Sequence, residues 1–443
     1  MKKKKRLMPG VLLLMLMAVV SVFGTVTALS ENDVIHPEGT PLYYLDLSRF
    51  YAKKTFELPP VTLTTPSDVF VPEAEEPQVV HPPETAPFSE EQQQRLSDIV
   101  KKYTCVSAQV ALIDDGYVTR VFSCGDANTR THVPVNDDTK IRVASLSKVM
   151  VGMTAMAMQE DGLFDLDDPL TDTVGFRVQN PDYSKYVLTM RSFLTHTSTV
   201  NMTAQITGVP LDTFLRRRES YFKAEPNTAR AWCYSNPGIR AAGGMLEVIA
   251  GRTLPDYEDE RFFEPLGIDA SFFASMLDDK ENIATLYSGD RKESQSVKTL
   301  LGREYSTDLG SNAYIYAGGL MISAQDYARL MCVLLRDGEY DGTQILSRLS
   351  VAEMEQTNFE LDEFDQCVVL RHREGMYDGR ELFYHTGDAY GVFAFASYDK
   401  AAGEGVVVTT VGAGCGRDKF DVPTVCGDIA DYLYCEVLDG KSA

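Results

Sequence analysis

Basic charge is in short supply in this sequence. Against 64 Asp and Glu stand 42 Lys and Arg, a formal charge of −22 over 443 residues. A phosphate backbone calls for a broad basic surface, so nucleic acid is excluded as the expected partner. Cysteine is sparse as well: eight copies are too few for a disulfide-built scaffold, although they suit a few bridges in an exported enzyme. The histidines, at 36, 81, 132, 196, 372 and 385, are scattered and form no His-Glu-x-x-His pattern. No metal site and no cofactor is therefore expected. What is plentiful is apolar side chain, at 44% of the chain against 24% charged. That balance rules out a disordered or collagen-like polymer and leaves room for a full-sized core.

Five of the basic residues stand together at the start. Lys2 to Lys5 and Arg6 precede the uncharged, mostly apolar run Val11 to Gly24, and Val26-Thr27-Ala28 offers small residues to a signal peptidase. Residues 1–28 read as a signal peptide or a membrane anchor. The chain is thus expected to be exported, extracellular or anchored, with a possible membrane tether through this N-terminus only. An anionic lipid surface would repel the acidic remainder. Residues 29–88 carry ten prolines, from Pro37 to Pro87, and read as a Pro-rich stalk.

Folding signals begin at Ser89. Ser89 and Gln92 make a capping box, and Leu96, Ile99, Val100 and Tyr103 recur at helical spacing. Cys105 to Ile113 and Tyr117 to Ser123 are β-rich runs joined by Asp114-Asp115-Gly116, which is hairpin chemistry. Cys105 and Cys124 lie on or beside the two arms, within the reach of a pairing, and Cys233 reads as a buried, inert thiol. From about 145 to 360 the pattern is mostly helical, as in Gly238 to Ala250 and Ala324 to Arg336. Strand signals return at Glu381 to Tyr384, Val392 to Tyr398 and Val406 to Val411, before a last helix from about Val422 to Leu438. This order predicts an α+β fold: an antiparallel sheet flanked by the N- and C-terminal helices, with a large all-helical lobe inserted at about 160–310. The folded unit would span 89–443.

Three short segments carry chemistry. In Ser145-Leu146-Ser147-Lys148, ahead of the apolar run Val149 to Met158, the serine and lysine sit three apart. At a helix start they share a face, which places an amine beside a hydroxyl near free N–H groups. Tyr234-Ser235-Asn236 precedes a helical run and offers a phenol for proton transfer and an amide for a substrate carbonyl. His385-Thr386-Gly387 closes the strand signal Leu382 to Tyr384: glycine admits a substrate backbone to the strand edge, and histidine supplies a cationic or hydrogen-bonding tip. Each motif has a plain structural alternative, a helix cap, a helix-initiating turn or an edge strand. The first is expected by chance about once in such a chain, the third only about once in thirty.

In this order the three motifs give a sequence that resembles the serine β-lactamase and penicillin-binding protein family. The branch it resembles holds class C β-lactamases, secreted D-Ala-D-Ala carboxypeptidases, related esterases and D-aminopeptidases. Phe193-Leu194-Thr195-His196-Thr197-Ser198, Phe263-Glu264-Pro265-Leu266-Gly267 and Ala317-Gly318-Gly319-Leu320 look like it too. The resemblance implies that Ser145 is the acylated nucleophile, Lys148 its partner and Tyr234 the general base. Asn236 would orient substrate, His385 would tune the field around the phenol, Thr386 would bind the substrate carboxylate region, and Gly387 would admit the substrate backbone. The backbone N–H groups of Ser145 and Asp388 would form the oxyanion hole. The implied substrate is a small peptide, ester or lactam; D-amino-acid peptides of the cell wall come first. Lactam or small-ester hydrolysis, or a penicillin-binding sensor without turnover, are the alternatives. The motifs say nothing of oligomeric state.

Departures from the family pattern sharpen the expectations. His385 stands where the lactamases have lysine, which lowers fixed positive charge beside Tyr234 and favours peptidase or esterase chemistry. Asp388 would repel a substrate carboxylate if it faced the cleft. Thr199-Val200 replaces Gly-Leu. His196 is assigned to helix packing, and Met150, Met153, Met156 and Met158 to the core.

Overall fold

The protein is described by a computed structural model over residues 81–442. The expected leader at 1–28 and the stalk up to residue 80 lie outside the described residues. The elements that position the site are, in chain order, β1 (Ala86–Pro87), α1 (Glu90–Lys102), β2 (Ser107–Asp114), β3 (Tyr117–Asn128) and β4 (Val133–Pro134). Next come β5 (Ile141–Arg142), α2 (Ser147–Glu160), α3 (Asn236–Ala250), β6 (Met321–Ile322) and α4 (Ala324–Leu335). The C-terminal part supplies β7 (Phe359–Glu360), β8 (Asp365–Gln366), β9 (Arg371–Met376), β10 (Arg380–Ala389), β11 (Val392–Asp399), β12 (Glu404–Val411) and α5 (Thr424–Tyr432).

Local chemistry explains the first of these. Ser89 accepts the Gln92 N–H while the Gln92 side chain returns to the Ser89 N–H, a closed capping box, and Leu96, Ile99 and Val100 form the buried stripe of α1. Between β2 and β3 the turn residues Asp115 and Gly116 take φ of 52° and 76°. Two successive left-handed residues match the twist of a tight hairpin.

One ten-stranded sheet runs in the order β1, β3, β2, β12, β11, β10, β9, β8, β7, with β4 on the flank of β3. Its pairs are antiparallel except β1 with β3. The strand period of two divides the side chains between two cores. Val406 and Val408 of β12 pack with Leu96 of α1 and with Ile429 and Ala430 of α5. Val407 and Val411 point the other way, toward Met150 and Met153 of α2 and Leu330 and Met331 of α4. The terminal helices cover one face and the inserted lobe the other, as the sequence pattern implies. Helix α2 is buried from Ser147 to Met158, which is how an all-round apolar helix is stabilised. Its four methionines sit in this core.

The boundaries differ in instructive ways. The tripeptide His385-Thr386-Gly387 lies inside a strand and not at its end: β10 continues to Ala389, paired with β11 from Phe383↔Tyr398 to Ala389↔Val392. Strand β9 is absent from the sequence reading because its Arg371-His372-Arg373-Glu374-Gly375 carries almost no apolar side chain. The lobe is looser than an all-helical body, with a small ladder of Leu286–Tyr287 on Glu293–Gln295 and several helices of three to six residues. Order also starts before Ser89. Ala86 and Pro87 pair with Arg120 and Val121, and Phe88 is buried, so the last residues of the expected stalk belong to the sheet edge. The final helix begins at Thr424 and widens to π-helical geometry at Leu433–Leu438. All eight cysteines are free thiols, including Cys105 and Cys124. Among the described residues no helix is long and apolar enough to cross a membrane.

Candidate active site

The site is built around the turn that joins β5 to α2. Ala144 takes φ of 50°, a left-handed conformation that costs a side-chain-bearing residue energy and persists only when neighbours fix it. Here they do. Strand β5 pairs with β6, and the Val143 N–H donates to Leu320 O at 3.0 Å. The Ser147 hydroxyl donates to Ala144 O at 2.6 Å and accepts the Leu320 N–H at 3.0 Å, while the Tyr327 hydroxyl donates to Leu146 O. Ser145 stands in the single 3₁₀ turn Ala144–Leu146, immediately ahead of α2.

Lys148 is fully buried. Its Nζ lies 2.9 Å from Ser145 Oγ and donates to Ala317 O at 2.7 Å. Burial pushes its pKa down, the nearby Tyr234 phenol pulls it back up, and Arg240 and Arg371 push it down again. The net direction is toward the neutral amine, the form able to accept a proton from a hydroxyl. The Tyr234 ring centroid is 4.9 Å from the same Nζ.

Tyr234 is held from behind by His196. The Cys233 N–H donates to His196 O and the Ser235 N–H to His196 Nδ1, at 3.0 and 3.3 Å, so the residues on both sides of the tyrosine are tied to one histidine. The two rings pack with centroids 4.6 Å apart. Because Nδ1 accepts, the proton of the neutral ring sits on Nε2, which is buried without a partner among the described residues. Burial, with Lys148 and Arg371, keeps this imidazole's pKa well below its usual value. Ser235 caps α3 by accepting the Gly238 N–H, which leaves Asn236 exposed at the first helical position.

From the other side comes β10. Strand alternation puts His385 and Gly387 on the face of Phe383, toward the nucleophile turn. Thr386 and Asp388 go with Tyr384, toward the terminal helices. A Cβ on Gly387 would meet Val143 O at 2.7 Å and Ala144 Cβ at 3.4 Å, so glycine is what lets the strand approach the turn. His385 Nδ1 lies 2.8 Å from Thr386 O. A carbonyl only accepts, so Nδ1 is protonated and Nε2 is left as an acceptor. Burial first, then Arg371 and Lys148, hold the His385 pKa well below its usual value. The ring lies 6.4 Å from that of Tyr234 and brings no charge. Asp388 is exposed, with its carboxylate 2.9 Å from Arg417.

The structure therefore brings Ser145, Lys148, Tyr234 and His385 together, with Gly387 as the contact between strand and turn. Sequence reasoning missed Arg371, whose guanidinium is 6.0 Å from the Tyr234 ring centroid and 4.4 Å from that of Phe364. Its Nη1 is buried without a hydrogen bond, 3.7 Å from Asp421. Sequence reasoning named Ala317 in a family-like stretch without giving it a role; the structure shows that its backbone carbonyl holds Lys148. Cys233 has its pKa raised by burial, the direction of an unreactive thiol. A cavity of about 480 Å³ between Phe176, Ile206, Val248 and Tyr314 holds none of these residues.

Residues 93–422 match the family description Beta-lactamase. The chain belongs to the Beta-lactamase family. It is 26% identical over 329 residues to Penicillin-binding protein 4 of Amycolatopsis lactamdurans, covering 71% of this chain and 82% of the relative. It is also 27% identical over 247 residues to Protein Rv1367c of Mycobacterium tuberculosis. That alignment covers 50% of this chain and only 60% of the relative. Among solved structures, D-alanine carboxypeptidase AmpC from Burkholderia cenocepacia superposes with a TM-score of 0.60 at 19% identity, covering 77% of this chain and 98% of that one. At that identity the likeness shows the shared fold.

Proposed function

We propose that this family member is an exported serine hydrolase that forms an acyl-enzyme on Ser145, with D-amino-acid peptides of the cell wall as substrate and D-Ala-D-Ala carboxypeptidase chemistry as the reaction. The observation that carries the reading is the buried Lys148 amine, 2.9 Å from Ser145 Oγ and driven toward its neutral form.

This geometry supports the following steps. Lys148, in place of the Tyr234 that the family resemblance implies as base, takes the hydroxyl proton as Ser145 Oγ bonds to the scissile carbonyl carbon, and the N–H groups of Ser145 and Asp388 receive the developing oxyanion. Tyr234 passes a proton to the leaving nitrogen, the C–N bond breaks, and the acyl group stays on Ser145. Water then attacks the ester along the reverse proton path and frees the acid and the serine. Asn236, exposed at the start of α3, orients the substrate amide.

Arg371 favours a peptidase. Since His385 is held neutral, Arg371 is the fixed cation next to Tyr234; its Nη1 lies 3.7 Å from Asp421 but makes no hydrogen bond. It can meet the carboxylate of a C-terminal D-residue from the strand side, without the Thr386 hydroxyl, which strand alternation turns toward the terminal helices. Asp388 is turned from the cleft and paired with Arg417, which Asp421 shares.

Steady-state turnover of a D-Ala-D-Ala peptide against a chromogenic cephalosporin tests the reading, with Ser145→Ala as control. Release of D-Ala that needs Ser145 and exceeds lactam hydrolysis in kcat/KM is the expected outcome. Faster cephalosporin turnover would replace the peptidase reading with a lactamase one.

A further inference from the structure

Three arginines at the edge of this site have no carboxylate. Arg142 lies three residues before Ser145, Arg240 lies one turn beyond Asn236 on the same face of α3, and Arg303 comes from the inserted lobe. The Arg142 side chain donates through Nε to Gly318 O at 2.6 Å, next to the Ala317 carbonyl that holds Lys148. Its guanidinium stacks on the Tyr390 ring at 3.9 Å, two residues past Asp388. Arg142 Nη1 and Arg303 Nη2 both donate to Gln295 Oε1, at 2.9 and 3.0 Å. One neutral amide oxygen thus gathers two cations without cancelling either. Arg240 Nε is buried without a partner, and none of the three has an ion pair among the described residues.

Two other partly buried arginines are ion-paired. Arg191 is paired with Asp167 and Glu353, and Arg380 with Asp399, Glu404 and Asp439. In a chain of net charge −22 carboxylates are abundant, yet among the described residues none comes within ion-pair distance of Arg142, Arg240 or Arg303, Glu304 beside Arg303 included. The surplus is visible in their neighbours. Burial pushes the Tyr390 phenol up, but Arg142, Arg240 and Arg303 outweigh it and bring it down. Arg142 itself is pushed down to about 10 by burial and then by Arg303. Like charges held together without a counter-ion destabilise the free protein, and a bound anion relieves that cost.

We infer that Arg240 and Arg303, backed by Arg142, form a receptor for a carboxylate on the acyl half of the substrate. The proposal rests on the acyl-enzyme reading above. There Arg371 is matched to the carboxylate of the leaving residue, which leaves the second cationic corner for the half that stays on Ser145. Guanidinium forks suit a planar carboxylate.

A matched pair of ligands tests it: N-glutaryl-D-Ala-D-Ala, and the same peptide with the glutaryl carboxylate replaced by a carboxamide. Calorimetry on the full chain carrying Ser145→Ala separates binding from turnover. The acid is expected to bind about tenfold tighter than the amide at low salt. That advantage should fall below about threefold when Arg303→Gln or Arg240→Gln is added, with Arg303→Lys retaining part of it. Thermal melts identify any variant that has lost its fold. Equal affinity for acid and amide, binding of neither, or an advantage untouched by both glutamine variants overturns the receptor. Turnover separates the two layers. If the wild-type chain consumes acid and amide at equal kcat/KM, the receptor fails while Ser145 chemistry stands. If the acid binds tighter in an Arg303-dependent way and Ser145 is never acylated, the receptor stands and the reaction fails.

Discussion

At the scale of single residues, the site depends on a lysine placed where a lysine is least stable. The Lys148 amine is out of water with Ala317 O and Ser145 Oγ as partners, and its pKa is lowered, first by burial. The unfolded chain binds a proton below 10.5 that the folded site resists, so this group costs stability as pH falls from that value toward the folded pKa. Lys148→Met should therefore melt higher than wild type at pH 7, with the gap closing as pH rises toward 10.5, while acylation of Ser145 falls by about 100- to 10,000-fold. Thermal melts across pH and a labelling rate with a fluorophosphonate check both halves. Ser145, Lys148 and Tyr234 were legible because their spacing is a motif. Arg371 was not, because a lone arginine on a charged strand carries no local signal; His196 stood out in a family-like stretch but was assigned to helix packing, and only the fold sets either against Tyr234.

At the scale of elements, the site is a contact between a strained turn and a strand. The left-handed Ala144 is fixed by hydrogen bonds from β6, α2 and α4, and Gly387 brings β10 against it. Gly387→Ala should push Val143 O and the turn away from β10, at a cost of about 1–3 kcal/mol. The Ser145 labelling rate should drop at least about tenfold while the circular dichroism spectrum stays native. A variant that labels at the wild-type rate would show that the close approach is incidental. Sequence pattern identified α1, the first hairpin, β11 and β12 because their caps, turns and alternation are written locally. It stopped β10 at Tyr384, since His-Thr-Gly reads as punctuation, whereas pairing on both sides keeps those residues extended.

At the scale of the whole molecule, two cores share one sheet, and the lobe core contains a polar group that stays uncharged. Thr154 Oγ1 lies 2.8 Å from Met150 O and 3.0 Å from Glu258 Oε1. One hydroxyl proton cannot serve both, so a protonated Glu258 donates to Thr154. Burial raises the Glu258 pKa well above 4.5. The folded state is then favoured below pH 4.5 and loses this contribution as pH rises, because the unfolded chain ionises and the folded one does not. Glu258→Gln should leave the melting temperature near wild type at pH 4 and raise it increasingly toward neutrality; a fall at pH 7 would mean that the carboxylate is charged and paired in the fold. The layering of helices on the sheet was readable from element order alone. The looseness of the lobe was not, because short helices and loops rich in Asp, Ser and Gly share a composition.

Everything at the three scales converges on one hydroxyl. Intact-protein mass spectrometry with peptide mapping, after exposure of the folded chain to penicillin or a fluorophosphonate, reads it directly. One adduct is expected, on Ser145, and it should be absent from Ser145→Ala. No adduct on the folded wild-type chain, or one that persists in Ser145→Ala, would contradict the assignment of the nucleophile.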